Sequence, residues 1–134
     1  MLATLIQHDE TIDDTVKLTH LLVVLPKSDK IQKKYQLPGE PILHDLLARR
    51  HKPLSSISEK AVSANLTNGA LCTWVMIDPN QSVFEQQTIM RHAWQLLLDE
   101  NPSEIHIAVY GLASQKRQLA ELAVSIGWIN GADL

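Results

Sequence analysis

Apolar residues fill every position from Leu21 to Leu25 (LLVVL) before Pro26 interrupts the run. A short stretch that is apolar on both faces reads as a strand buried on both sides, in the middle of a sheet with helices above and below. Residues 1–20 are polar and weakly patterned, with an early strand expected at Ala3–Ile6 and then a loop, and residues 1–17 read as a loosely ordered lead-in. After Pro26 the chain is charged as far as the Pro38-Gly39 turn signal. Ile42, Leu43, Leu46 and Leu47 then recur at helical spacing, which predicts a helix over Pro41–Arg50. Its basic end, Arg49 and Arg50, complements the helix dipole. The Ser-rich stretch His51–Ser58 reads as a loop.

The next change of rhythm is from alternation to continuity. Val62, Ala64 and Leu66 alternate with Ser63 and Asn65, and Asn68-Gly69 follows. The run Ala70–Ile77 (ALCTWVMI) is then apolar on both faces. Asn-Gly between two strand-like runs predicts an antiparallel hairpin with a type I′ turn, in which both turn residues take positive φ. The second strand of that hairpin is expected at or near the centre of the sheet.

Asp78-Pro79-Asn80 closes this strand, and Ser82 and Glu85 have the S-x-x-E spacing of a capping box. The helix they start is expected to run to about Glu100, with Val83, Gln86, Met90, Ala93, Trp94 and Leu97 on one stripe and Pro102 as its stop. Ile105–Tyr110 (IHIAVY) is another strand, and Gly111 begins a turn. Ser114 is the expected N-cap of a last helix, lined by Leu119, Leu122, Ala123 and Ile126 and ending at Gly127. Helices between strands, with one hairpin, predict an α/β fold: a mixed sheet sandwiched by helices.

Length and composition fit this picture. The chain has 134 residues, enough for one domain with a real core, and is 45% hydrophobic and 20% charged. The single Cys72 cannot form an internal disulfide, the N-terminus lacks the pattern of a signal peptide, and no apolar run is long enough to span a bilayer. The expectation is a cytoplasmic protein without a membrane partner. The net charge of −3 is uneven: residues 27–60 hold eight basic and four acidic side chains, a net +4 that leaves −7 elsewhere. A basic segment can be a nucleic-acid footprint, but Tyr35 is the one aromatic residue of the Phe, Trp and Tyr type among these charges, too few for interleaving, so a solvated helix face with loops is the preferred reading.

The search for chemistry finds little. None of the six histidines pairs with another at helical metal-site spacing, so no metal site is expected. His106 is expected to be packed in its strand or at an edge, and His92 to be exposed on a helix. Cys72 lies mid-strand among apolar neighbours, where a thiol behaves as a small hydrophobe rather than a nucleophile. Ala70, Cys72, Trp74 and Met76 share one strand face, which reads as core. The five glycines make no phosphate-binding loop. The nearest thing to an anion site is the turn Tyr110-Gly111-Leu112-Ala113-Ser114, where a strand end meets a helix N-terminus. Gly111 and Ser114 are its candidate ligand-binding residues. No catalytic, cofactor-binding or metal-ligating residue is assigned.

Three stretches carry a family resemblance: THLLVVLPKSDK, VSANLTNGALCTWVMIDPNQSVFEQ and ENPSEIHIAVYGLASQKRQLAELAVSIGWINGA. Together they resemble the N-terminal domain of bacterial leucyl aminopeptidases of the M17 class. That resemblance implies a macro-domain-like α/β fold and a non-catalytic regulatory or assembly role beside a C-terminal catalytic domain of the same polypeptide. The parent enzymes are hydrolases that remove N-terminal residues from peptides with two divalent metals, zinc or manganese, and they assemble as hexamers. The family signature N-T-D-A-E-G-R-L does not occur in these residues. No cofactor is therefore expected in this chain, and it is expected to be inactive alone. Two other function classes stand beside this one. A macro-like module for a nucleotide-like anion would use the Gly111 turn. A DNA-contacting accessory domain has the +4 segment as its only support.

Overall fold

The computed structural model describes residues 3–8 and 18–129, together with the backbone of 132–133. In chain order the elements are β1 (Ala3–His8), β2 (His20–Pro26), α1 (Glu40–Arg49), β3 (Val62–Asn65), β4 (Leu71–Ile77), α2 (Val83–Leu98), β5 (Glu104–Val109), α3 (Ala113–Ile129) and β6 (Ala132–Asp133). They build a mixed sheet in the order β3-β4-β2-β5-β1-β6. All neighbours are parallel except β3 and β4, which pair as an antiparallel hairpin at one edge. This is the α/β fold that the alternation of helical and strand patterns predicts.

Each face of the sheet carries its own core, because successive side chains of a strand point to opposite sides. Leu22, Val24, Val75, Ile105 and Ile107 meet Met90, Ala93, Trp94 and Leu97 of α2 and Leu119, Ala123 and Ile126 of α3. Leu21, Val23, Leu25, Cys72, Trp74 and Met76 meet Leu43 and Leu47 of α1. In β2, Leu21 to Leu25 are all at most 2% exposed. The run LLVVL is apolar throughout because both of its faces are covered.

Several local expectations are corrected. The early strand expected at Ala3–Ile6 forms and runs on to His8, with Ala3 and Leu5 buried; the rest of the lead-in, 1–2 and 9–17, lies outside the described residues. The stretch after Pro53 winds into a short 3-10 turn, Leu54–Ser58, that buries Ile57 and Ser58. Val83 and Phe84 stand exposed at the start of α2, and Ile89 takes a place in the buried stripe. In the capping box the Ser82 hydroxyl accepts from the Glu85 N–H at 3.1 Å, while the Glu85 carboxylate accepts from that hydroxyl at 3.3 Å. Asn101 takes a left-handed conformation (φ 52°) just after α2, and Pro102 follows.

The hairpin forms where Asn68-Gly69 places it, but its turn is of another type. Gly69 has φ 90°, while Asn68 is not among the residues with positive φ. The Gly69 N–H donates to Leu66 O at 2.9 Å, and the Leu66 N–H donates to Ala70 O at 2.8 Å. Those bonds define a three-residue loop ending in a left-handed glycine, a common hairpin closure. Asn68 stabilises it differently, its side-chain oxygen accepting from the Ala70 N–H at 3.0 Å. The asparagine is used for its side chain, and positive φ falls on Gly69 alone.

Gly127 does not end the last helix, which continues to Ile129. A Cβ at Gly127 would lie 2.5 Å from Cζ2 of Trp94. That indole donates from Nε1 to Ala123 O at 2.9 Å. Glycine is needed here because α2 presses a tryptophan flat against the α3 backbone.

Candidate functional site

The strand order creates one place where a cleft is expected. β2 leads through the segment after Pro26 to α1 on one face, while its neighbour β5 leads through Gly111 to α3 on the other. Where connections from adjacent parallel strands diverge to opposite faces, a crevice opens beyond their carboxyl ends. A cleft of about 240 Å³ occupies this position, lined by Pro26, Lys27, Ser28, Lys30, Gln32, Tyr35, Leu112 and Gln115 among others. A second, of about 220 Å³, lies between α2 and α3 and shares Pro26 and Gln115 with the first.

Gly111 borders this site. It has φ 125°, and a Cβ there would approach Pro26 Cγ to 3.2 Å and Gln115 Oε1 to 3.0 Å. Ser114 does not cap α3, which begins one residue earlier, at Ala113. The capping contact comes from Gln115, whose Oε1 accepts from the Leu112 N–H at 2.8 Å. This is the reach-back of a third-position side chain to the residue before the helix. Neither candidate residue lines the cleft directly: Gly111 lies behind Pro26 and Gln115, and Ser114 is exposed in the first turn of α3.

The polar groups at the cleft are of mixed sign. Lys27 Nζ lies 3.5 Å from Asp78 Oδ2, a half-exposed pair of small energetic weight. Lys30 has no ion-pair partner among the described residues. Tyr35, on the cleft wall, packs against Tyr110 with ring centroids 5.4 Å apart. The Tyr110 hydroxyl is buried without a hydrogen-bond partner, and burial, helped by nearby Cys72, pushes its pKa up to about 12. Cys72 is fully buried, and desolvation raises its pKa well above the ordinary thiol value. A reactive thiol needs the opposite shift.

The histidines do not assemble a metal centre. Among the described residues, no group of three or more His, Cys, Asp or Glu side chains is placed to hold a metal ion. His106 is packed in its strand at 6% exposure, whereas His92 is half-buried rather than exposed, with Nδ1 lacking a partner. Sequence reasoning missed that His106 contacts His8, 98 residues away, at 2.7 Å. No local signal announces this contact, because it depends on the parallel pairing of β1 with β5.

The eight basic side chains of residues 27–60 are all exposed, as a solvated surface requires. A larger hollow of about 660 Å³ lies far from the cleft, between α3 and Gln7 of β1. Its edge exposes Trp128 (64%) and Ile129 (75%), and its charged pair, Arg117 and Glu121, sits at 4.0 Å. No helix among the described residues is long and apolar enough to cross a membrane. The chain matches no family model, no curated protein and no solved structure.

Proposed function

We propose that this chain is a cytoplasmic, non-catalytic N-terminal domain of a leucyl aminopeptidase-like metallo-exopeptidase, acting in regulation or assembly. One observation supports this above others. The three stretches that carry the resemblance supply β2, the β3–β4 hairpin with the start of α2, and β5 with α3. These strands are the contiguous block β3-β4-β2-β5 of the sheet. The resemblance therefore falls on four neighbouring strands of the sheet rather than on scattered surface segments. In this reading the two catalytic metals, zinc or manganese, belong to a C-terminal domain of the same polypeptide. The apolar surface at Trp128 and Ile129 is available for contact with that domain or with other subunits of a homo-oligomer.

Two measurements test the proposal. The coding sequence downstream of Leu134 is expected to continue into a frame with the N-T-D-A-E-G-R-L signature; a stop codon there, or an unrelated domain, removes the proposal. The isolated chain is expected to leave leucine p-nitroanilide uncleaved with zinc or manganese added. Metal-dependent turnover that survives repurification and a mock-purified control contradicts the non-catalytic role.

A second reading is favoured by the cleft between the β2 and β5 ends, which suits a small nucleotide-like anion bound through Lys30 and the amide of Gln32. ADP should then produce backbone chemical-shift changes confined to residues around Pro26, Lys30 and Gly111, weakened in Lys30→Glu. Shift changes spread over all basic side chains, with a steep salt dependence, would instead indicate the nonspecific attraction seen with DNA.

A further inference from the structure

We propose that the outer edge of β3 is an interaction surface for a second copy of this chain, the two β3 strands pairing antiparallel about a two-fold axis at Ala64. β3 (Val62–Asn65) lies at one edge of the sheet, and among the described residues β4 is its one strand partner. The ladder shows which of its backbone groups are spare. The Leu66 N–H donates to Ala70 O at 2.8 Å, which marks Leu66 and Ala70 as a hydrogen-bonded pair. Such pairs alternate along an antiparallel ladder, so in this register they recur at Ala64–Cys72 and Val62–Trp74. On the other side of β4 the Leu71 N–H donates to Thr19 O at 2.9 Å, beside the start of β2, as the same alternation requires. The N–H and C=O of Ser63 and Asn65 therefore point away from β4, and no hydrogen bond to another described residue uses them.

This edge lacks the usual protection against pairing. Edge strands are commonly blunted by charge, proline, a bulge or a covering element. Residues 61–66 (AVSANL) carry no charge and no proline. The register of β3 with β4 runs without a bulge, and Ser63, Ala64 and Asn65 all keep access to solvent.

The spacing of the spare groups selects the occupant. With Ala64 opposite Ala64 of a second copy, Ser63 of each strand stands opposite Asn65 of the other. Both are then hydrogen-bonded pairs, and every spare N–H and C=O of the two strands finds a partner. Ala64 falls in the non-hydrogen-bonded pair, where Cα atoms approach to about 4.5 Å and a methyl group fits. Further out, Val62 faces Leu66, Ala61 faces Thr67 and Lys60 faces Asn68, so no like charges meet. An axis at Ser63 would need the backbone of Ala61, which is 3% exposed, and an axis at Asn65 would need Thr67 in the hairpin loop. So short a strand buries less than the about 1,200 Å² of a stable interface, so the dimer should be weak and reversible.

Sedimentation and amide exchange of the chain between about 20 µM and about 1 mM read this directly. The average mass should rise toward that of a dimer. The Ser63 and Asn65 amides should gain at least about threefold in protection, while those of Val62 and Ala64, already in the ladder, change less than about twofold. Ser63→Pro removes an outward N–H and no ladder bond, a position where an edge strand accepts proline, and should abolish the rise in mass. Trp128→Ser, on the hollow beside β1, should leave it unchanged. In a Cys72→Ala background, Ala64→Cys should oxidise to a linked dimer at least about tenfold faster than Ser63→Cys, since the Ser63 positions lie about 7–8 Å apart on the diagonal, beyond disulfide reach.

A chain that stays monomeric at the highest concentration overturns the proposal, as does a dimer that Ser63→Pro leaves intact or Trp128→Ser removes. Equal oxidation of the two cysteine variants, or protection of Ser63 and Asn65 that appears only with a different protein added, overturns it as well. If a variant does not fold, the wild-type amides decide: concentration-dependent protection of Ser63 and Asn65 upholds the pairing, and its absence overturns it.

Discussion

Cys72 and Tyr110 lie in the same buried cluster on the α1 face, and each is held in its neutral form by lack of water. A thiol so placed should react slowly with a disulfide reagent in the native protein and quickly in denaturant. Immediate stoichiometric labelling of the folded chain would contradict its burial. The same desolvation links stability to pH. A raised folded pKa means that the group's contribution is complete below its unfolded pKa and is lost as pH rises above it. The urea midpoint is therefore expected to begin falling above about pH 8.5, where an unfolded thiol ionises, and to fall more steeply above about pH 10, where tyrosine does. Cys72→Ala should remove the first part of that decline. A midpoint unchanged as far as about pH 10.5 would show that neither group is desolvated.

Two glycines, one in the hairpin loop and one within α3, serve for opposite reasons, and substitutions separate them. At Gly69 nothing lies within 4 Å of a built Cβ, so space is not the constraint; the backbone at φ 90° is. Gly69→Val should cost roughly 1–3 kcal/mol, whereas Gly69→Asn should cost much less, because asparagine tolerates left-handed backbone. Equal urea midpoints for the two variants would mean that the turn is not closed in this way. At Gly127 the backbone is helical and space is the constraint. Alanine would gain up to about 1 kcal/mol of helix propensity. Against this, the Trp94 indole is fixed by its bond to Ala123, and overpacking of such a contact costs about 1–3 kcal/mol. The clash is expected to win, so Gly127→Ala should lower the midpoint. A raised midpoint would show that the indole is free to move aside.

At the scale of the molecule, both cores depend on the same sheet. Trp74 reports one face, with its Nε1 donating to Pro38 O at 3.0 Å, and Trp94 reports the other. Because β2 and β4 place side chains in both cores, neither face can come apart while the other stays packed. Single-tryptophan variants, with Trp128 and one of the two buried indoles replaced by phenylalanine, should each show one cooperative fluorescence transition. Urea dependence normalised to each variant's midpoint should have the same steepness in both, since a domain of this size unfolds as a unit. A shallow or biphasic transition at one indole alone would show that the two layers are separable.

Much of this protein was legible along the chain. The continuous apolar runs of β2 and β4, the helical spacing of Leu43 and Leu47, and the Ser82–Glu85 spacing act between residues a few positions apart, so they leave a local pattern. The candidate turn at Gly111 was legible for the same reason. Ser114 was misplaced because the helix starts a residue earlier, at Ala113, and a glutamine inside it satisfies the N–H of the residue before it. What only the tertiary structure decided are relations between distant segments. The order β3-β4-β2-β5-β1-β6 sets which connections diverge and thus where the cleft lies. Gly127 lies inside α3 with Trp94 against it, and His8 and His106 meet only because β1 inserts beside β5. Such contacts are chosen by the burial of two sheet faces at once, a condition on the whole chain that no local rhythm of residues records.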